Sequence, residues 1–292
     1  MKSLFILLIC SFFAACNAQV PKMQSAADNN TLLWEISGKN IKQAYLLGTF
    51  HLMCRKDIHI SKNTLTAIKS ADEVYFEMDL DDPSTTFGAL LYMNMKGYSL
   101  KDLYTPDEYN RVEIFFRDSL KTPFSMLQKM KPLFLQSLLY PKMMPCNEYS
   151  GVEEELMKVA KEDKKEINGF ETIQFQASIF DSIPYKEQAK MLLNTIDSMP
   201  AFQAEFDSML DLYKSQRISD LDSGFIKGEI GSLENKELLL DNRNKNWVKQ
   251  LHNLLPAKSL FIAVGAGHLV GKAGLIELLR KEGYTVRPLL NN

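Results

Sequence analysis

Between residues 32 and 52 the apolar side chains run as "LLWEIS", break at Gly38-Lys39-Asn40, and resume as "AYLLGTFHL". This pattern predicts two strands joined by a tight turn. Next, "SKNTLTAIKSAD" sets Leu65 and Ile68 at helical spacing behind Ser61, a good N-cap residue, and "EVYFEMDL" supplies a short apolar strand over Val74 to Leu80. Strand, helix, strand is the order of a βαβ unit. From about residue 84 to 165 the pattern lengthens into amphipathic helices, among them "TPDEYNRVEIFFRDSL", with Pro106 near its start, and "FSMLQKMKPLFLQSLLYPKMM". Six of the 14 methionines lie between Met93 and Met144. At these spacings they read first as helix core, and second as a deformable apolar wall for an extended substrate. A charged helix from Val152, a strand around Glu166 to Phe170, and helices over Tyr185 to Lys214 and Leu233 to Leu255 come after it. A second βαβ unit closes the chain: a strand from Ser259 to Val264, a helix from about Gly271 to Glu282 stopped by Gly283, and a strand from Tyr284 to Leu289. The expected class is α/β, with a mixed central sheet built from N- and C-terminal βαβ-like units and a large inserted helical region at about 84–165.

The apolar run from Leu4 to Phe13 follows Lys2 and precedes small residues. It has roughly half the ~20 residues of a membrane-spanning helix, which suits a secretory signal. "FAAC" ending at Cys16 fits a lipoprotein cleavage box, and Ala18-Gln19 fits an ordinary signal-peptidase site; both remain open. The expected division is a signal peptide over 1–18, a polar tether over 19–30, and one α/β domain over 31–292, in an exported, periplasmic or envelope protein whose one membrane attachment would be a lipid at Cys16. A composition of 46% hydrophobic and 24% charged residues is that of an ordinary globular chain, and a net charge of -2 gives no electrostatic footprint for nucleic acid. Past the leader only Cys54 and Cys146 remain, either paired or as two thiols; a four-cysteine zinc site is excluded by number.

Candidate chemistry centres on a repeated strand ending. "LLGTFHL" and "FIAVGAGHL" each place a glycine three residues before a histidine, Gly48 with His51 and Gly265 with His268, and Gly267 adds a second glycine to the later copy. In open α/β sheets the carboxyl ends of strands are where ligands bind. One Gly-x-x-His is a weak motif and reads as a packed strand terminus; two in equivalent places, using two of the four histidines, point to one shared metal site. His59 and His252 lack that context and read as surface residues. Two imidazoles on a divalent ion are usually joined by a carboxylate. Glu77 is the best candidate, because it lies inside an apolar strand where an unpaired acid is costly to bury, whereas Asp79, Asp81 and Asp82 approach a turn at Pro83. Serine-hydrolase, P-loop, dinucleotide and His-Glu-x-x-His patterns are absent, and nothing marks Cys54 as an activated nucleophile.

The stretches "LLWEISGKN", "AYLLGTFHL", "EVYFEMD", "GVEEELMKVAKEDKKEINGFETIQFQ", "LLLDNRNKNWVKQL" and "SLFIAVGAGHLVGKAGLIELLRKEGYTVRPL" resemble, in that order, the TraB/GumN family, which includes the Tiki proteases. The likeness runs from about Leu32 to Leu289 and is vaguest in the helical part. It implies a fold akin to erythromycin esterase and ChaN-like proteins, in which the two Gly-x-x-His elements meet. In Tiki-like members the resemblance implies a metal-dependent peptidase that favours manganese or cobalt, with zinc as a third candidate. Carried over, His51 and His268 match the motif histidines, Glu77 the acidic residue, and Gly48 and Gly265 the motif glycines, while Glu171 and Arg243 match recurrent polar positions without an assigned role. The expected function is thus an exported metal-dependent hydrolase, with His51, His268 and Glu77 as ligands or catalytic groups and a peptide or protein as substrate. The alternative is a non-catalytic haem- or metal-binding envelope lipoprotein, as ChaN-like relatives imply.

Overall fold

A computed structural model describes Met23, residues 30–221 and residues 236–291. The signal peptide, Cys16, nearly all of the tether and the start of the helix expected from Leu233 lie outside the described residues. Six strands form the main sheet: β1 (Leu33–Ser37), β2 (Ala44–Thr49), β4 (Glu73–Met78), β6 (Glu166–Glu171), β7 (Leu260–Gly265) and β8 (Thr285–Leu289). A separate pair of two-residue strands, β3 (Met53–Cys54) and β5 (Tyr149–Ser150), runs antiparallel. The order across the main sheet is β6-β4-β7-β2-β1-β8. β6, β4, β7 and β2 are mutually parallel, and β1 is antiparallel to β2 and β8. The mixed α/β class is as the sequence predicts.

The hairpin forms at the expected place, with Leu33 opposite Leu47 and a turn that puts Asn40 at φ 62°. Asparagine tolerates that left-handed conformation better than most residues. All six positions of β2 and the first five of β7 are buried, so both faces of the sheet centre are covered, as parallel strands require. Ser61 caps the helix Lys62–Ser70 by accepting from the Thr64 N–H at 3.1 Å. That helix packs against the helix Val152–Glu162, and Asn242–Leu254 packs against Leu275–Lys281.

Two expected helices differ in extent. The helix expected over Tyr185 to Lys214 divides into Tyr185–Asp197 and Met199–Lys214. Ser198 leaves helical geometry there at φ -116°, ψ 30°, ahead of Pro200, whose ring cannot continue an uninterrupted helix. The C-terminal helix is shorter than expected, Leu275–Lys281, and begins behind Gly274.

The main core holds Trp34, Tyr45, Phe76, Trp247 and Phe261. A second core joins Met95, Leu100, Val112, Phe116, Phe124, Leu127, Leu135 and Leu139 to Leu192 and Leu193 of the helix Tyr185–Asp197. The methionines divide accordingly: Met95, Met143 and Met144 are buried, and Met126 is exposed. Cys54 and Cys146 form a disulfide with a Cα–Cα distance of 6.0 Å, which settles their pairing and leaves no free thiol on Cys54. No helix among the described residues is long and apolar enough to cross a membrane.

Candidate metal centre at the carboxyl edge of the sheet

Register sets the site. Thr49 lies opposite Gly265, Phe76 opposite both Ala263 and Gly169, and Met78 opposite Glu171, so the carboxyl ends of β2, β7, β4 and β6 finish side by side. His51 follows β2, Glu77 is next to last in β4, Glu171 ends β6, and His268 ends a short 3-10 turn directly after β7. All eight residues singled out from the sequence lie in this region, and Gly265 is at its middle. A methyl group placed on Gly265 would stand 3.2 Å from Glu77 Oε1, 3.5 Å from His51 Nε2 and 3.7 Å from His268 Cδ2. The two imidazoles and the carboxylate therefore converge on one point. Gly48 serves the packing behind it, since a methyl there would lie 3.1 Å from the Ala266 backbone and from Leu269. Gly267 differs from expectation: a methyl would meet only Leu240 at an ordinary 3.7 Å, so this glycine is not part of a crowded floor.

The two histidines sit in opposite environments. His51 has a side chain 72% exposed at the mouth of the recess, and its Nδ1 lies 2.7 Å from Glu153 Oε1, which also accepts from Thr49 Oγ1 at 2.5 Å. The charge of Glu153 pushes the His51 pKa up to about 9 against the opposing pull of desolvation. Burial works the other way on Glu153, but the His51 cation and its hydrogen bond outweigh it and hold the carboxyl below its usual value. His268 is buried, packs against Trp247 with ring centroids 4.4 Å apart and planes tilted by 38°, and has its pKa pushed down to about 3 by desolvation, so it is neutral.

Glu77 Oε1 accepts from the Gly265 N–H at 2.9 Å, and Oε2 accepts from Arg243 Nη2 at 2.7 Å. Burial disfavours its charge, yet its pKa lies below the ordinary carboxylate range. A charged His268 would favour the anion, but that ring is neutral; the Arg243 guanidinium, the His51 cation and the Gly265 N–H favour it instead. Arg243 is spread over the whole floor. It donates to both oxygens of Glu171 at 2.8–3.1 Å and to Leu239 O at 2.9 Å, and its Nη1 lies 3.2 Å from His268 Nε2. Glu171 also accepts from Trp247 Nε1 at 2.8 Å and Gln176 Nε2 at 3.1 Å.

Among the described residues no three His, Cys, Asp or Glu side chains are gathered tightly enough to cage an ion as they stand. Arg243 holds Glu77 Oε2 and faces His268 Nε2. The donor chemistry nevertheless fits a divalent metal. His51 Nε2 and Glu77 Oε1 face one glycine, His268 Nε2 lies 3.7 Å from that same Oε1, and each histidine Nδ1 is bound by another side chain, the usual support for a ligating imidazole. The recess also carries three carboxylates, Glu77, Glu153 and Glu171, against two cations, the Arg243 guanidinium and the His51 imidazolium. That surplus of negative charge suits a doubly charged cation.

The family model for the TraB/PrgY/gumN family matches residues 32–288. The chain belongs to this family. Among its relatives are Metalloprotease TIKI1 of Danio rerio, 24% identical over 94% of this chain, and Metalloprotease TIKI1 of Xenopus tropicalis, 26% identical over 95% of it. The chain spans only 65% and 66% of those two proteins. An uncharacterized protein of Treponema pallidum is 23% identical over 95% of this chain, which covers 89% of its length. No solved structure matches.

Within this TraB/PrgY/gumN chain, sequence reading missed Glu153, Asn244, Trp247 and Gln176. Glu153 is one of three consecutive glutamates in the first turn of a helix, where acids are favoured by the helix dipole alone. Asn244 is one of three asparagines in "DNRNKN", with nothing in the pattern to single it out. The acidic loop after β4 stands apart from the site chemistry: Asp79 Oδ1 accepts from the backbone N–H groups of Asp81 and Asp82 at 3.3 and 3.2 Å.

Proposed function

We propose that this chain is an exported metal-dependent hydrolase that cuts peptide bonds, with His51, His268 and Glu77 as the ligand set. The observation that carries the reading is the convergence of His51 Nε2, Glu77 Oε1 and the His268 ring on Gly265. Peptide or protein as the substrate class is supported by the printed names of the TIKI relatives, and export by the apolar run at Leu4 to Phe13. Lipid attachment at Cys16 belongs to the same proposal.

A divalent ion held there, manganese or cobalt by family likeness, supplies polarisation of a carbonyl and acidification of water. The residues supply the rest. Glu77 is a strongly ionised carboxylate pinned by Arg243 and the Gly265 N–H, which suits a ligand and suits a general base poorly, since a good base has a pKa near working pH. Arg243, itself held by Glu171, braces Glu77. His51, open to solvent, is the ligand an incoming substrate meets first.

The test is metal analysis of purified protein, with hydrolysis of a diverse peptide library in added Mn²⁺ or Co²⁺. Wild type is expected to retain an ion and cut peptide; His51→Ala and His268→Ala lose the ion; Glu77→Gln lowers hydrolysis by roughly two orders of magnitude. Equal metal content in wild type and His51→Ala overturns the ligand set. A haem absorbance band with no cleavage of any peptide overturns the hydrolase reading in favour of a binding protein.

A further inference from the structure

Both histidines are held through the same ring nitrogen, by different chemistry, from different parts of the chain. His51 Nδ1 meets Glu153 Oε1 at 2.7 Å and His268 Nδ1 meets Asn244 Oδ1 at 2.7 Å. The Asn244 amide cannot be turned round, because its Nδ2 donates to His268 O at 3.1 Å and to Ala273 O at 2.9 Å. Its Oδ1 is therefore an acceptor, and the proton between the two side chains belongs to His268 Nδ1. The far side of the ring agrees: Arg243 Nη1 lies 3.2 Å from Nε2, and a guanidinium can only donate, so Nε2 presents its lone pair. Asn244 is 1% exposed and sits in the helix Asn242–Leu254, one residue after the arginine and one turn before Trp247, on which the His268 ring lies.

The counterpart at His51 is anchored as firmly. Glu153 is in the first turn of the helix Val152–Glu162, whose leading N–H, from Val152, donates to Phe50 O at 3.0 Å. Its Oε1 is shared with Thr49 Oγ1 at the end of β2. The helix start and the strand end are thus fixed to each other at the two residues just before His51.

We infer that Asn244 and Glu153 are positioning residues: each binds the Nδ1 of one histidine and so leaves its Nε2 for a metal, that of His51 facing Gly265 and giving up its proton on binding, that of His268 lying 3.7 Å from Glu77 Oε1. This inference rests on the metal reading above, but the tautomer of His268 does not. The amide, unlike the carboxylate, brings no charge to its imidazole, so the two ligands are unequal by construction, one supported by a charge and one by a dipole.

The experiment combines nitrogen-15 NMR of the histidine rings in metal-free protein with Mn²⁺ titration of wild type, Asn244→Leu, Asn244→Asp and Glu153→Leu. In wild type, His268 is expected to carry its proton on Nδ1. Asn244→Leu and Glu153→Leu, each checked for a native circular dichroism spectrum, lose about 10–100-fold in Mn²⁺ affinity. Asn244→Asp keeps the acceptor oxygen and loses the donor to the two carbonyls, so it remains within a few-fold of wild type. A drop in Asn244→Asp as large as in Asn244→Leu assigns the residue to loop bracing alone and overturns the inference, as does a proton found on Nε2 of His268. If wild type binds neither Mn²⁺ nor Co²⁺, the peptidase reading falls, and the His268 tautomer still decides whether Asn244 sets the ring.

Discussion

At the scale of single residues, three glycines in one region carry three different loads. Gly48→Ala presses a methyl to 3.1 Å from the Ala266 backbone, which cannot swing away, and is expected to cost about 1–3 kcal/mol in urea unfolding. Gly267→Ala meets only Leu240 and should stay within about 0.5 kcal/mol of wild type. Gly265→Ala places its methyl among His51, Glu77 and His268, and is expected to weaken Mn²⁺ binding by at least about 10-fold. A Gly267 variant as damaged as the Gly48 variant would contradict this ranking. The His51–Glu153 pair gives a second expectation, read by NMR titration of the metal-free protein. His51 titrates near 9 and Glu153→Gln moves it back towards the ordinary 6.5. Because the folded value of His51 is raised and that of Glu153 lowered, the stability this pair contributes is fully present between the ordinary carboxylate range and about 6.5, is lost as pH rises through about 9, and is lost again in acid as Glu153 protonates. His51, His268 and Glu77 stood out in the sequence from strand-end pattern and placement, whereas Arg243 and Glu171 entered only through the family likeness and without a role; the structure brings all five together. Glu153 and Asn244 did not stand out, because a glutamate at a helix start and an asparagine in a polar helix already have ordinary explanations there, and only the fold reveals which ring each one meets.

At the scale of elements, the disulfide ties the segment after His51 to the segment before Glu153. β3 and β5 pair Cys54 with Tyr149 and Met53 with Ser150, and Cys146 closes a span of 92 residues onto Cys54. Reduction, or replacement of both cysteines by alanine, is expected to lower the unfolding free energy by on the order of 2–5 kcal/mol in urea denaturation. A change near zero would mean that the β3–β5 pair and the Arg55 contacts with Glu154 and Glu155 hold this corner without the bond. The elements themselves were largely visible as patterns. The hairpin, the Ser61-capped helix and the strand at Leu260–Gly265 appear close to where periodicity puts them. The long helix expected across Ser198 does not, because apolar spacing continues through a point where local backbone geometry changes. The cysteine pairing was likewise beyond the sequence, since spacing along a chain says nothing about distance in space.

At the scale of the whole molecule, the sequence shows two strand–helix–strand units and cannot show how they interleave. Strand pairing depends on register and neighbours rather than on the local pattern of any one strand. The fold inserts β7 between β2 and β4, so the sheet centre joins residues near 47, 75 and 262. The order of strands also bears on the making of the protein. While a ribosome or a translocation pore still holds the final portion, β2 and β4 have nothing between them and the recess lacks one of its two imidazoles and its central glycine. Activity of the kind proposed is therefore expected only once β7 and His268 have been made and laid into the sheet.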